Sequence, residues 1–120
     1  MLPSESELVE LAKSYICENV KDLQYPEKIA PALGVKFFTL RNAFKWQTGE
    51  TLKHYFDRQK MEYAKKLLRE TTWDILSIAH EVGHKNERLF YRVFKRIVGM
   101  TPCEYRHTNA DAAQKLKMSV

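Results

Sequence analysis

The chain contains one run of residues with the spacing of a zinc-binding catalytic motif. His80-Glu81-Val82-Gly83-His84 follows the pattern H-E-x-x-H, in which two histidines one helical turn apart bind zinc and the glutamate serves as general base. Glu104 is a candidate third ligand. Gly83, however, is expected to end its helix before His84 and so to separate the two imidazoles. A small zinc peptidase is therefore only an alternative interpretation, and neither a metal nor another cofactor is predicted.

A second set of side chains suits contact with nucleic acid. Once the apolar positions of two short segments are removed, the outward faces carry Phe38, Arg41, Asn42 and Lys45 in the first segment and Glu87, Arg88, Tyr91, Arg92 and Lys95 in the second. Arginine binds guanine bidentately, asparagine pairs with adenine, glutamate accepts a hydrogen bond from cytosine, and an aromatic edge meets the thymine methyl group. Arg92 and Lys95 suit phosphate equally well. The same residue types are also common on ordinary solvated surface.

These two segments belong to an internal repeat. The run Ile29-Ala30-x-x-Leu33-Gly34 matches Ile78-Ala79-x-x-Val82-Gly83 at an offset of 49 residues. Further along, Phe44-Lys45 with Gly49, Thr51 and Tyr55 matches Phe94-Lys95 with Gly99, Thr101 and Tyr105 at an offset of 50. The second copy therefore holds one extra residue just after its first glycine. Residues 26–56 and 75–106 are two copies of one unit.

Each copy is predicted to contain a short apolar helix, a glycine turn and a second helix. The second helix shows i, i+3, i+4, i+7 spacing, with apolar residues Phe37, Leu40, Ala43 and Phe44 in one copy and Phe90, Val93, Phe94 and Ile97 in the other. A capping box at Ser4 predicts a first helix over residues 5–23, and Thr101 followed by Pro102 predicts a last short one.

Thr51 is the predicted N-cap of a long helix that extends to about Arg69. Its predicted buried side carries Leu52, Tyr55, Phe56, Gln59, Tyr63, Ala64 and Leu67. Because no stretch of the chain alternates with period two, we predict an all-α protein of seven helices. Trp46 and Trp73 have no recognisable partner in the sequence and are expected to pack.

The predicted organisation is a first helix-turn-helix subdomain over residues 5–56, a linker helix over 51–70, a second subdomain over 71–107 and a polar tail over 108–120. In a helix-turn-helix the second helix enters the major groove of DNA. A helix of about nineteen residues is about 28 Å long, near the roughly 34 Å between successive major grooves on one face of a duplex. We therefore expect two homeodomain-like units that read adjacent major-groove segments.

The charge of the chain agrees with this interpretation. There are 20 Lys and Arg against 15 Asp and Glu, giving a net charge of +5, and residues 36–106 alone carry +7. The N-terminus is acidic where a secretory leader would be basic, and no apolar run is long enough to span a membrane. Two cysteines are too few for a disulfide framework. We expect a cytoplasmic protein with no membrane partner.

The repeat closely resembles the signature of the AraC/XylS family of bacterial transcription regulators. The residues that carry the resemblance are Ile78-Ala79-x-x-Val82-Gly83, Phe90-x-Arg92-x-Phe94-Lys95, Gly99-x-Thr101-Pro102 and Tyr105-Arg106, together with Arg58-x-x-Met61-x-x-Ala64-x-x-Leu67-Leu68 in the linker helix. The resemblance covers about residues 5–107. It implies sequence-specific binding to promoter DNA and, usually, activation through contact with RNA polymerase. Many members carry a separate ligand-sensing or receiver domain ahead of this one. The chain is therefore expected to be either a stand-alone member or the C-terminal part of a larger regulator with an N-terminal sensor or dimerisation domain.

The first copy departs more from the family pattern than the second. Lys36 stands where a small hydroxyl residue usually caps the recognition helix, Asn42 stands where arginine is frequent, and Pro31 lies inside the preceding helix. In the second copy, His84 replaces the usual phenylalanine. A further alternative is a protein-binding helical module whose acidic first helix faces a partner. The operator sequence and any effector are not predicted.

Overall fold

The computed structural model describes residues 4–23 and 25–109 of the chain. These residues contain no strand and form seven α-helices: α1 (Glu5–Glu18), α2 (Ile29–Ala32), α3 (Phe37–Thr48), α4 (Leu52–Glu70), α5 (Ile75–Glu81), α6 (Glu87–Val98) and α7, which is helical over residues 102–109. A 3₁₀ turn, Pro26–Lys28, leads into α2. The all-α class and the seven helices are thus confirmed. From residue 110 onward, the predicted polar tail lies outside the described residues.

The chain divides into two compact units, Met1–Gln59 and Lys60–Val120, whose boundary falls within α4. In unit 1, α1 packs mainly against α3. Most of the buried side chains come from the four helices of the unit: Leu8, Val9, Ala12 and Ile16 from α1, Ile29 and Ala30 from α2, Leu40, Ala43 and Phe44 from α3, and Leu52, Tyr55 and Phe56 from α4. The rings of Phe44 and Tyr55 lie 5.3 Å apart between centroids. The predicted stripe of α3 is therefore buried, except that Phe37 is half-buried.

The second unit repeats this arrangement around three aromatic rings. Its buried residues are Met61, Ala64 and Leu68 from α4, Ile78, Ala79 and Val82 from α5 and its end, and Phe90, Val93 and Phe94 from α6. The rings of Phe90 and Phe94 lie 5.8 Å apart, and Tyr105 of α7 meets Phe94 edge-on at the same centroid distance. The predicted stripe of α6 is buried apart from Ile97, which packs against the cluster from a half-buried position.

A buried lysine joins α4 to the end of α5 within unit 2. Lys60 is only 1% exposed, and its Nζ donates a hydrogen bond to the carbonyl of Val82 at 2.6 Å. Val82 is the C-cap of α5, so its carbonyl is one of the groups that a helix end leaves without an intrahelical partner. The predicted buried side of α4 is correct only in part beyond Phe56. Ala64 is buried as predicted and Gln59, Tyr63 and Leu67 are half-buried, whereas Lys60, Met61 and Leu68 are buried without having been predicted.

The first helix ends earlier than predicted. It stops at Glu18, because Asn19 leaves the helical conformation (φ −121°) and its side-chain amide donates to the carbonyl of Tyr15 at 2.9 Å. A turn follows, in which the backbone N–H of Leu23 donates to the carbonyl of Asn19. The turn buries Val20 and Leu23, so the residues predicted as the last part of the helix still contribute to the core.

The expectation that both tryptophans pack is wrong. Trp46 is 83% exposed and Trp73 is 45% exposed. On α3 the core side is already occupied by Leu40, Ala43 and Phe44, and two residues beyond Phe44 a helix has turned by about 200°. The indole of Trp46 therefore points away from the core.

Replacing the glycine after α2 should destabilise unit 1 through backbone strain alone. Gly34 has φ +74°, and a Cβ built on it meets nothing within 4 Å. Gly34→Ala should lower the free energy of unfolding by about 1 kcal/mol, because a left-handed conformation disfavours a Cβ atom. Urea titration of the two proteins measures this. Gly34→Asn, which tolerates the same conformation better, should cost less, and an alanine variant as stable as the parent would contradict the account.

Candidate nucleic-acid interface

The turn between α2 and α3 is closed by two backbone hydrogen bonds. Gly34 (φ +74°) donates to the carbonyl of Pro31 at 3.1 Å, and Val35 donates to the carbonyl of Ala30 at 3.1 Å. This pair of bonds around a left-handed glycine is the Schellman motif, which satisfies the last carbonyls of a helix and redirects the chain. Proline lacks an N–H group but keeps its carbonyl, so Pro31 is compatible with this turn.

The turn between α5 and α6 is built in the same way. Gly83 (φ +89°) donates to the carbonyl of His80 at 3.0 Å, and His84 donates to the carbonyl of Ala79 at 2.8 Å. One residue separates Gly34 from the N-cap Lys36, whereas two separate Gly83 from the N-cap Asn86. The repeat read in the sequence, including its one-residue insertion, is therefore a repeat of backbone geometry.

This second turn argues against the zinc motif. The helix ends at Glu81 and Gly83 reverses the chain, so His80 and His84 do not share a helical face. The ring of His84 lies 5.8 Å from that of Phe90. In the described part of the chain, no group of three or more His, Cys, Asp or Glu side chains is placed to hold a metal ion.

The two second helices start differently. Asn86 caps α6, because its Oδ1 accepts hydrogen bonds from the backbone N–H groups of Arg88 at 2.9 Å and Leu89 at 3.3 Å. Lys36, at the equivalent place before α3, makes no capping bond through its side chain. An asparagine cap satisfies two of the N–H groups that a helix start leaves unpaired. The first turn of α6 is thus held more firmly than that of α3.

The predicted outward face of α3 is exposed. Phe38 is 68% exposed, and Arg41, Asn42 and Lys45 are exposed beside it. The Nζ of Lys45 donates to the carbonyl of Gly49 at 3.0 Å, which ties this side chain to the end of the helix. The structure adds Trp46, which sequence reasoning had assigned to packing. At the corresponding position 50 residues later, α6 carries Arg96, which is also exposed.

The outward face of α6 is the more strongly charged. Glu87, Arg88, Arg92 and Lys95 are exposed, and among the described residues the guanidinium groups of Arg88 and Arg92 form no hydrogen bond or ion pair. Tyr91 is half-buried, and its hydroxyl lies 3.3 Å from the Sγ of Cys103. This hydrogen bond, with burial, raises the pKa of Tyr91 to about 12. Leu89, 46% exposed, is also on this surface.

The last helix supports α6 through the C-terminal end of α4. The guanidinium of Arg106 donates to the carbonyls of Leu68 and Thr71, each at 3.2 Å. Arg69 donates to the hydroxyl of Tyr105 at 2.6 Å. These bonds satisfy carbonyls at a helix end and hold the ring of Tyr105 against Phe94, one of the core residues of α6.

Comparison with known proteins identifies the repeated region as a helix-turn-helix domain. A family model described as a helix-turn-helix domain matches residues 29–108. The xylose operon regulatory protein of Escherichia coli (strain K12) is 29% identical over 109 residues, which are 91% of this chain and 27% of the relative. The regulatory protein SoxS of Salmonella typhimurium is 28% identical over 104 residues, which are 87% of this chain and 97% of that protein. The chain thus spans about a quarter of the first relative.

Solved structures of similar proteins share this fold. The C-terminal domain of AraT, a response regulator from Geobacillus stearothermophilus, has a TM-score of 0.80 and 31% identity, and the match covers 88% of each chain. The DNA-binding domain of AdpA, solved in complex with a target DNA, has a TM-score of 0.76 over 83% of this chain and 90% of that one. Its identity of 19% shows the fold alone. Within the described residues, no helix is long and apolar enough to cross a membrane.

Removing the cap of α6 should destabilise unit 2, and supplying a cap to α3 should stabilise unit 1. Asn86→Ala should cost about 1 kcal/mol, because two N–H groups of α6 lose their acceptor. Lys36→Ser should stabilise unit 1 by up to about 1 kcal/mol by supplying the acceptor that α3 lacks. Hydrogen exchange of the amides in the first turn of each helix reports both effects. Unchanged protection in the two variants would show that the caps do not control these helix starts.

Proposed function

This chain belongs to the AraC/XylS family of helix-turn-helix transcription regulators, and we propose that it reads two adjacent major-groove segments of one duplex through α3 and α6. Regulators of this family bind DNA and are not enzymes. The observation that carries the proposal is the repeated turn. Two helices leave glycine turns with the same pair of backbone bonds, and each presents an exposed face with side chains that suit base edges.

On α6, the residue best placed for base recognition is Arg88. It lies in the first turn after the Asn86 cap, the part of a recognition helix that reaches base edges, and a guanidinium can bind O6 and N7 of guanine together. Glu87 suits cytosine N4. Because the hydroxyl of Tyr91 is bonded to Cys103, its ring edge is the part offered to a thymine methyl group. Arg92 and Lys95 suit the phosphates.

On α3, base recognition relies more on apolar and amide groups. Phe38 offers an exposed ring edge to a thymine methyl, Asn42 suits adenine, and Arg41 suits guanine. Lys45, bonded to Gly49 at the end of the helix, suits phosphate. We take residues 5–56 and 71–107 as the two reading subdomains, joined by the linker helix over residues 51–70. Because the two faces differ in residue type, we expect the two half-sites to differ in sequence.

The same proposal extends to activation of transcription in the cytoplasm. It is supported by a relative that is named as an activator: RhaR of Enterobacter sp. (strain 638), described as an HTH-type transcriptional activator, is 38% identical over 74 residues, 62% of this chain and 26% of that protein. The acidic first turn of α1, with Glu5 and Glu7, is poorly suited to DNA. We propose that α1 faces RNA polymerase while α3 and α6 bind the promoter.

Removing the guanidinium of Arg88 should weaken specific binding and leave non-specific binding nearly unchanged. Arg88→Ala should cost about 1–3 kcal/mol on the best site and relax the preference at one base pair. Arg88→Lys keeps the charge but loses the bidentate geometry, so it should lose the same preference with a smaller loss of affinity. Titration against selected and random duplexes measures this. Equal losses on both duplexes would reassign Arg88 to the phosphates.

Separating the two half-sites should abolish simultaneous reading. Inserting about 5 bp turns the second half-site to the opposite face of the duplex, since one helical turn is about 10 bp, and short DNA resists the required twist and bend. Affinity should drop to that of one unit plus non-specific contacts. An insertion of about 10 bp keeps both half-sites on one face of the duplex, so it tests the distance alone. Full affinity for the 5 bp insertion would show that only one unit reads DNA.

A further inference from the structure

A cleft of about 520 Å³ opens in unit 1 beside the recognition helix α3. It lies between α3, the start of α4 and the 3₁₀ turn before α2. Its lining combines uncharged residues, Pro26, Phe37, Asn42, Thr51 and Leu52, with the charged residues Glu27, Arg41, Lys45 and Lys53. The lining thus holds three cationic side chains and one carboxylate, and a second carboxylate, that of Asp57, is paired with Lys53.

The three cations keep most of their hydrogen-bond donors available. The Nζ of Lys53 donates to Asp57 Oδ2 at 3.1 Å and that of Lys45 donates to the carbonyl of Gly49 at 3.0 Å. An ammonium group has three donors and a guanidinium has five. In the described part of the chain, the guanidinium of Arg41 forms no hydrogen bond or ion pair. The side chain of Lys53 is 71% exposed, so an anion can reach it.

Unit 2 does not have this cluster, although its backbone repeats that of unit 1. At the offset of 50, Arg41 corresponds to Tyr91 and Lys53 corresponds to Cys103. In unit 2 those two neutral side chains contact each other, with the Tyr91 hydroxyl 3.3 Å from the Cys103 Sγ. Lys45 keeps a cationic counterpart, Lys95, and Asn42 corresponds to Arg92, so unit 2 has two cations at these positions where unit 1 has three. The cationic cleft is therefore a feature of unit 1 and not a consequence of the repeated fold.

We propose that this cleft holds one phosphodiester group of the DNA backbone, flanking the segment read by α3, and that Lys53 is the positioning residue. This inference rests on the proposed function, because Arg41, Asn42 and Lys45 belong both to the cleft and to the outward face of α3. A phosphate contact fixes the register of a recognition helix on the duplex without reading sequence. It gives α3, which has no side-chain N-cap, an external anchor on the duplex.

The first test measures the salt dependence of binding to a duplex selected in vitro. Lys53→Gln should reduce the slope of log affinity against log salt by about 0.9, the value for one phosphate, and weaken binding about five- to tenfold near 0.1 M salt. The loss should be equal on selected and random duplexes, and Lys53→Arg should restore both. The matched control is Lys13→Gln on α1, where Lys13 lies near Glu10. It removes the same charge away from the cleft and should leave the slope unchanged.

The second test locates the phosphate. Methylphosphonate groups, which are uncharged, replace the phosphates of the selected duplex one at a time. For the parent protein, a methylphosphonate at one position flanking the α3 half-site should lower the affinity. For the Lys53→Gln variant, the same methylphosphonate should cause no further loss of affinity. Independent losses at every position, or coupling only within the α6 half-site, would overturn the proposal. The proposal would also be overturned if Lys53→Gln left the slope of log affinity against log salt unchanged but lost affinity for inorganic phosphate. The cleft would then bind free phosphate and not the DNA backbone. Failure of the parent protein to bind any duplex would contradict the proposed function itself.

Discussion

The left-handed glycine turn is the constraint on which both proposed DNA-reading surfaces depend. At Gly34 and Gly83 two backbone bonds close the turn, so the direction of the following helix is determined by main-chain atoms and by the buried residues beneath it. In unit 2 the buried Lys60 adds a bond to the carbonyl of Val82 at the same turn. The outward residues of α3 and α6 take no part in this construction. They can therefore differ between the units without altering how each helix is presented.

The two units differ in the N-cap and in the outward residues of the second helix. Unit 2 has a side-chain cap at Asn86, two guanidinium groups on its outward face and a neutral contact between Tyr91 and Cys103. Unit 1 has no side-chain cap and presents exposed aromatic rings beside a cationic cleft. The proposed phosphate contact in the cleft would thus support α3 in unit 1, where unit 2 has the Asn86 cap.

Much of this architecture could be predicted from the sequence, because the repeat fixes glycines, caps and apolar stripes at corresponding positions. Three features could not. The end of α1 depends on Asn19, whose turn still buries Val20 and Leu23. A single apolar stripe was expected for α4, but this helix supplies two separate cores, so Lys60 and Met61 were missed. The cleft is lined by Lys53 of α4 and by Arg41 and Lys45 of α3. It could not be predicted, because the periodic pattern of one helix does not indicate which residues of another helix lie near it.

In-vitro selection of duplex sites with the purified chain tests the central claim, that one turn geometry used twice presents two recognition helices. The account predicts a bipartite site with two unlike segments whose centres lie about 10 bp apart. Each segment should span only a few base pairs, and alanine substitution of Arg41 or of Arg88 should blur one segment and leave the other intact. A single compact site, or one that either substitution alters along its whole length, would contradict the account.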